Sequence, residues 1–109
     1  MNFKTLKKHC LSFPFVTEEV RWRQDHCFLV LKKPFCLTDS DTYASTSFKV
    51  LESEFDEMIN REGIIPAPYM DREHWVLVLD FAWLSDAEWE HFIQQSYELV
   101  KSTEPENIP

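Results

Sequence analysis

The sequence predicts an α+β domain in which an antiparallel sheet is covered by helices on one face. Three observations predict it. Apolar residues with helical spacing mark both ends of the chain. Much of the stretch between them alternates with period two or forms short apolar runs. The breaks carry Pro, Asp, Ser or the single glycine of the 109 residues. Strands grouped between helices, rather than alternating regularly with them, favour antiparallel pairing.

Residues 3–12 read as the first helix. Asn2 is placed to cap it, Phe3, Leu6 and Cys10 share one face, and Lys4, Lys7 and Lys8 share the other. Pro14 ends it. Residues 20–37 then change period: Val20 and Trp22 alternate with charged residues, 27–31 is an apolar run, and 35–37 is another. The expectation is a set of antiparallel strands joined by a tight basic turn at Lys32, Lys33 and Pro34. Asp39, Ser40 and Asp41 form a polar loop, and residues 43–51 read as a further strand with Phe48 and Val50 on one face.

Ser53 followed by Asp56 resembles a capping box, and Phe55, Met58, Ile59 and Glu62 keep helical spacing up to Gly63, which is expected at the helix C-cap. Pro66 and Pro68 make residues 64–70 an edge strand or an extended loop. Residues 71–73 read as a turn and 75–81 as a strongly apolar, central strand. The last helix is signalled most clearly. Ser85 and Glu88 form a capping box, Trp89, Phe92, Ile93, Ser96 and Val100 point inward, and Glu90, Gln94, Glu98 and Lys101 face water. Residues 1–101 thus read as one domain, and the polar tail 102–109 as frayed.

Composition narrows the chemistry. With one glycine, the chain has no Gly-rich loop of the kind that cradles phosphates. Apolar runs of about five residues fall well short of the roughly 20 that a membrane span needs, and no apolar core follows the first lysines. A cytoplasmic protein without membrane partners is expected. Cys10, Cys27 and Cys36 are an odd set without CxxC spacing, which fits reduced, buried thiols. Net charge is −8, divided unevenly: residues 1–36 hold seven basic and three acidic side chains, net +4, and the remainder four basic and sixteen acidic, net −12.

The segment Arg61-Glu-Gly-Ile-Ile-Pro-Ala-Pro-Tyr-Met-Asp-Arg-Glu-His-Trp75, the apolar strand after it, Leu84-Ser-Asp, and the helix end Gln95-Ser-Tyr-Glu-Leu-Val100 together resemble the YjbR/MmcQ family. Residues 11–17, Glu18, Glu19 and Trp22 agree, so the resemblance covers nearly the whole chain. The motif residues are Pro66, Tyr69, Met70, His74 and Trp75. The resemblance implies a compact, frataxin-like α+β fold and DNA binding through two wing-like, strand-connecting loops; the residues themselves show no catalytic constellation, so no enzymatic activity is expected. Two departures bear on that implication. Asp71-Arg72-Glu73 replaces an Asn-Lys-Lys-like turn, and Lys32-Lys33-Pro34 replaces a Gly-Gly-Lys-like one.

Four functional readings compete. The first is a nucleic-acid surface of Arg21, Trp22, Arg23, Lys32, Lys33 and Arg72, binding DNA weakly and in a salt-sensitive way. Against it stand the net charge, which repels polyanions, and the routine use of lysine to guard strand edges. The second is metal binding by His9, Cys10, His26, Cys27 and His74 or by the acids Glu52, Glu54, Asp56 and Glu57. Neighbouring residues of a strand face opposite sides, no close ligand pairs occur, and a helix dipole accounts for acids at a helix start. No metal or cofactor is therefore expected. The third is catalysis by His74 or His91 with Glu73 or Glu88, or by a cysteine nucleophile, for which no orienting third group or oxyanion donor can be named. The fourth, the alternative to DNA, is a protein-interaction module anchored by Tyr69 and Trp83. A monomer or small homo-oligomer is expected.

Overall fold

The structure is a computed structural model describing residues 1–21, 25–39, 45–68, 70–71 and 73–102, with Arg21 described in its backbone. Its elements are α1 (Phe3–Leu11), β1 (Val16–Arg21), β2 (Asp25–Val30), β3 (Lys33–Thr38), β4 (Thr46–Lys49), α2 (Glu52–Ile59), β5 (Ile64–Pro66), β6 (Trp75–Val78), a 3₁₀ turn (Phe81–Trp83) and α3 (Asp86–Ser102). The strands form one six-stranded antiparallel sheet in the order β1-β2-β3-β4-β6-β5. Among the described residues no helix is long and apolar enough to cross a membrane.

The register explains the core. Phe28, Cys36, Phe48 and Val76 lie side by side across β2, β3, β4 and β6, facing the helices. α3 lies over β2 to β4, α1 against β1 and α3, and α2 against β5 and β6. From α3 come Trp89, Phe92, Ile93, Ser96 and Val100, as expected, and Tyr97 as well. Phe48 meets Trp89 edge-on and Phe92 face-on, both at 5.9 Å between ring centroids. The capping box closes in both directions: the Ser85 N–H donates to Glu88 Oε1 at 3.0 Å, and the Glu88 N–H donates to Ser85 Oγ at 3.1 Å. Asn2 caps α1 by accepting from the Thr5 N–H at 2.8 Å.

Several boundaries differ from expectation. β1 starts at Val16 rather than near residue 20. The alternation is disguised because Glu18 takes an inward position beside Phe28, where His26 Nδ1 lies 2.6 Å and Lys7 Nζ 3.3 Å from its carboxylate. The basic turn comes earlier than predicted: Leu31 and Lys32 are its two residues, while Lys33 and Pro34 already belong to β3. A bulge follows, in which Phe28 pairs with Cys36 and Leu29 with Pro34, so that the unpaired Phe35 joins Cys36 in the core. Pro34 is tolerated at this irregularity.

Ser53 does not cap α2. Leu51 takes the N-cap position without a side-chain bond, because the Val50 N–H is tied to His74 O at 2.8 Å and the chain turns immediately afterwards. α2 stops at Ile59 with Asn60 as its C-cap, so Gly63 serves the loop into β5 instead. There it has φ +83°, and a Cβ on it would come within 2.3 Å of the Trp83 ring. β6 ends at Val78 and not at 81, since Asp80 accepts from the Ala82 N–H at 2.9 Å and turns the chain into the 3₁₀ segment. It lies inside the sheet, one strand from the edge, and the first three residues of the two-proline segment form that edge as β5, which ends at Pro66. The strand expected at 43–51 is Thr46–Lys49. Residues 40–44 of the predicted loop and strand, and 103–109 of the predicted tail, lie outside the described residues; Ser102 still belongs to α3.

Candidate nucleic-acid interface

The strand directions sort the connections between the two ends of the sheet. At one end lie the segment before Val16, the Leu31–Lys32 turn, the exit of β4 at Lys49 and the approach to β6 through Glu73 and His74. At the other lie Arg21 and Asp25, Asp39, and Gly63.

The first end is conformationally distinctive. Among the described residues, four non-glycine residues take positive φ: Phe15 (65°), Leu31 (51°), Lys32 (69°) and Glu73 (80°). All four sit at this end. Left-handed backbone costs an L-residue roughly 1–2 kcal/mol, so each must be held by its surroundings. Leu31 and Lys32 are held by the two-residue connection, whose left-handed pair matches the twist of the strands it joins. Phe15 is held from both sides. Phe13 stacks on Tyr97 with 4.6 Å between centroids, Tyr97 Oη donates to Pro14 O at 2.8 Å, and Val16 enters the β1–β2 ladder opposite Val30.

Basic residues recur at the β1-to-β4 part of this end. Lys32 is exposed and Lys33 half-buried. Lys49 closes β4, and Lys101 Nζ lies 5.5 Å from the centre of the Tyr97 ring, which also meets Phe13 and Phe35. Acids flank them on the far side: Glu52 and Glu54 open α2, and Asp71 and Glu73 precede β6.

The structure therefore does not bring all the sequence-predicted contact residues together. Arg21 pairs with Asp25 at the start of β2, and Lys33 pairs with Val30 at its end. Five residue steps at about 3.3 Å separate the two positions by about 17 Å along the strand. Trp22, Arg23, Tyr69 and Arg72 lie outside the described residues. Of the remaining motif residues, Pro66 ends β5, Met70 packs against the core, and Trp75 is buried at the start of β6 opposite Lys49. The main chain of His74 fixes the turn before β6: its N–H donates to Asp71 O at 3.1 Å, and its carbonyl accepts from the Val50 N–H. Its Nδ1 lies 3.0 Å from Asp71 Oδ2 without making a hydrogen bond to it. Trp83, the other proposed protein anchor, lays its ring on the Gly63 backbone and is 39% exposed. Phe15 and Leu31 escaped sequence reading because a large apolar residue in a loop gives no signal until its backbone conformation and exposure are known.

Other chemistry finds little footing among the described residues. Cys10, Cys27 and Cys36 are buried and form no disulfide; burial first, and then a hydrogen bond with Cys36, push the Cys10 thiol well above its ordinary value, away from thiolate reactivity. No three His, Cys, Asp or Glu side chains gather as metal ligands there. A groove of about 390 Å³ runs over Pro34, Leu37, Met70 and Leu77, but Asp25 and Asp39 line it with the wrong sign for phosphate.

A family model described as YjbR matches residues 11–99. The fold is similar to that of two solved structures. One is the Deinococcus radiodurans protein DR2400, of domain family DUF419, with TM-score 0.84 and 23% identity, covering 94% of this chain and 80% of that one. The other is a Pseudomonas syringae protein with TM-score 0.73 and 19% identity, covering 92% of this chain and 99% of that one. No curated protein matches the chain. The family match spans most of the sequence, from the end of α1 almost to the end of α3, and the chain belongs to the YjbR family.

Proposed function

We propose that this YjbR domain binds DNA weakly, without base-specific readout, through the corner of the sheet that carries Lys32 and Lys33. The observation that supports it most is the rigid two-residue turn, which holds Lys32 outward in a conformation a lysine adopts only at a cost. Lys49 and Lys101 lie at the same end. Four lysine–phosphate contacts would give a log–log salt slope of about −3.6. Screening over about 8 Å at physiological salt lets such a corner act locally on a protein of net charge −8. Arg21, at the far end of β1, is too distant to join the same contact, so a second wing, if engaged, adds independently.

The test is fluorescence anisotropy with duplex and single-stranded DNA at low and physiological salt, comparing the parent with a Lys32→Ala, Lys33→Ala double variant. Salt-sensitive binding that the double variant loses is the expected result. No binding by the parent at low salt would reject the function, and equal binding by both forms would reject the location.

A further inference from the structure

We infer that Phe15 and Leu31 form an apolar platform for an unstacked base, so that this corner takes single-stranded rather than duplex nucleic acid. The inference rests on the nucleic-acid reading above and specifies its ligand.

Phe15 is 69% exposed and Leu31 50% exposed, both high for residues of their size. They are register neighbours: Val16 pairs with Val30, and Phe15 and Leu31 are the next residues outward on the two strands. Both take left-handed backbone. Phe13, two residues before Phe15, goes into the core against Tyr97, so the apolar side chain at 15 is turned out by its backbone and not by want of space beneath. Strain of this kind persists where the surrounding structure imposes it, and it gathers at ligand-binding places. Lys32 follows Leu31 directly, so an apolar face and a cation stand together, the two groups that meet a base and its phosphate.

Charge decides between ligands. A duplex offers its outer surface as phosphate, and an apolar residue reaches its bases only by wedging the stack open, which is repaid when the bent duplex wraps more protein. Apart from the four lysines of this corner the chain holds seven basic and nineteen acidic side chains, a net −12 that disfavours wrapping by a duplex. A single strand presents base faces freely and needs only a short contact. Because the platform is fixed by the ladder and by the Pro14–Tyr97 bond, little freedom is lost when a base settles on it.

The experiment uses the full chain with a short fluorescein-labelled oligothymidine, the same length of abasic strand, a matched duplex, and vesicles of phosphatidylglycerol and phosphatidylcholine. The parent is expected to prefer oligothymidine to the abasic strand and to the duplex. Phe15→Ala should weaken oligothymidine binding by about tenfold while leaving the abasic strand unaffected, and Phe15→Trp should restore it. Phe15 is mostly outside the core, so these variants retain the fold, which circular dichroism checks. Loss on Lys32→Ala, Lys33→Ala with no effect of Phe15→Ala would overturn the platform and leave the phosphate contact standing. Equal affinity for the duplex would overturn the single-strand preference. No binding of any nucleic acid would overturn the parent reading as well, and vesicle binding alongside that result would make the corner a lipid contact.

Discussion

Replacing Ser96 with alanine should cost more than its single hydroxyl suggests. Ser96 is fully buried on α3, and its Oγ accepts from the Lys49 N–H at 2.8 Å and donates to Phe35 O at 2.6 Å. Cys36 pairs with Phe48, so Phe35 and Lys49 would be the next pair of the β3–β4 ladder. The bulge takes Phe35 out of that ladder, and the serine hydroxyl bridges the gap. Alanine leaves an inward N–H and C=O without their partner. At about 1–3 kcal/mol for each such group, with Lys49 only half-buried, the loss comes to about 2–3 kcal/mol. For a domain of this size that lowers Tm by roughly 9–13 °C. Urea unfolding gives the energy, and amide exchange reports on Lys49, whose protection should fall. A loss below about 0.5 kcal/mol with the Lys49 amide still protected would show that the strands close directly, without the serine bridge.

Gly63→Ala combines a left-handed backbone with a clash against the root of the Trp83 ring; about 2–4 kcal/mol of destabilisation is expected in urea, and a Trp83→Ala background should remove roughly half of it. Glu88 holds its carboxyl below the usual range, first through hydrogen bonds from Arg61 at 3.0 and 3.3 Å and then through the Ser85 N–H. A depressed folded value contributes stability above the unfolded carboxylate range that fades as pH falls through it. Glu88→Gln should therefore flatten the acid limb of a stability–pH profile, modestly because the side chain is 38% exposed, and an unchanged limb would refute the assignment. Leu31→Asn, which relieves the left-handed turn, should raise stability by about 1 kcal/mol in thermal unfolding; no gain would mean that packing of Leu31 offsets the strain.

What the sequence could disclose followed from period and cap chemistry. α3 was legible because its capping box and apolar stripe agree, and α1 because Asn2, Leu6 and Cys10 occur at the right spacing. The two prolines also kept residues 64–70 out of the centre of the sheet, leaving an edge strand or an extended loop, and β5 takes the edge. Sequence pattern and structure part where a side chain serves a distant partner. Glu18 interrupts the apolar pattern of β1 because His26 and Lys7 receive it, and Gly63 resembles a helix C-cap but is required by Trp83, twenty residues later. Ser53 shows the reverse case, a good cap sequence overridden by the Val50–His74 bond. The candidate site was half legible. Lys32 and Lys33 announce a basic turn, but the separation of Arg21 from them depends on which way β2 runs, and the prominence of Phe15 depends on a backbone angle that composition does not encode.

The strand order carries a consequence for how the molecule is made. β1 to β4 are successive neighbours and can pair as they leave the ribosome, whereas β5 pairs only with β6, and β6 must find β4 after residues 50–74 have intervened. α3, which covers Phe28, Phe35 and Phe48, follows all six strands. During synthesis a four-stranded meander thus waits with its aromatic face bare and with β4 as an unpaired edge, the condition in which nascent chains are most prone to join one another. Slowing translation ahead of α3, or withholding chaperones that cover apolar surface, should harm the yield of this protein more than its final stability would suggest.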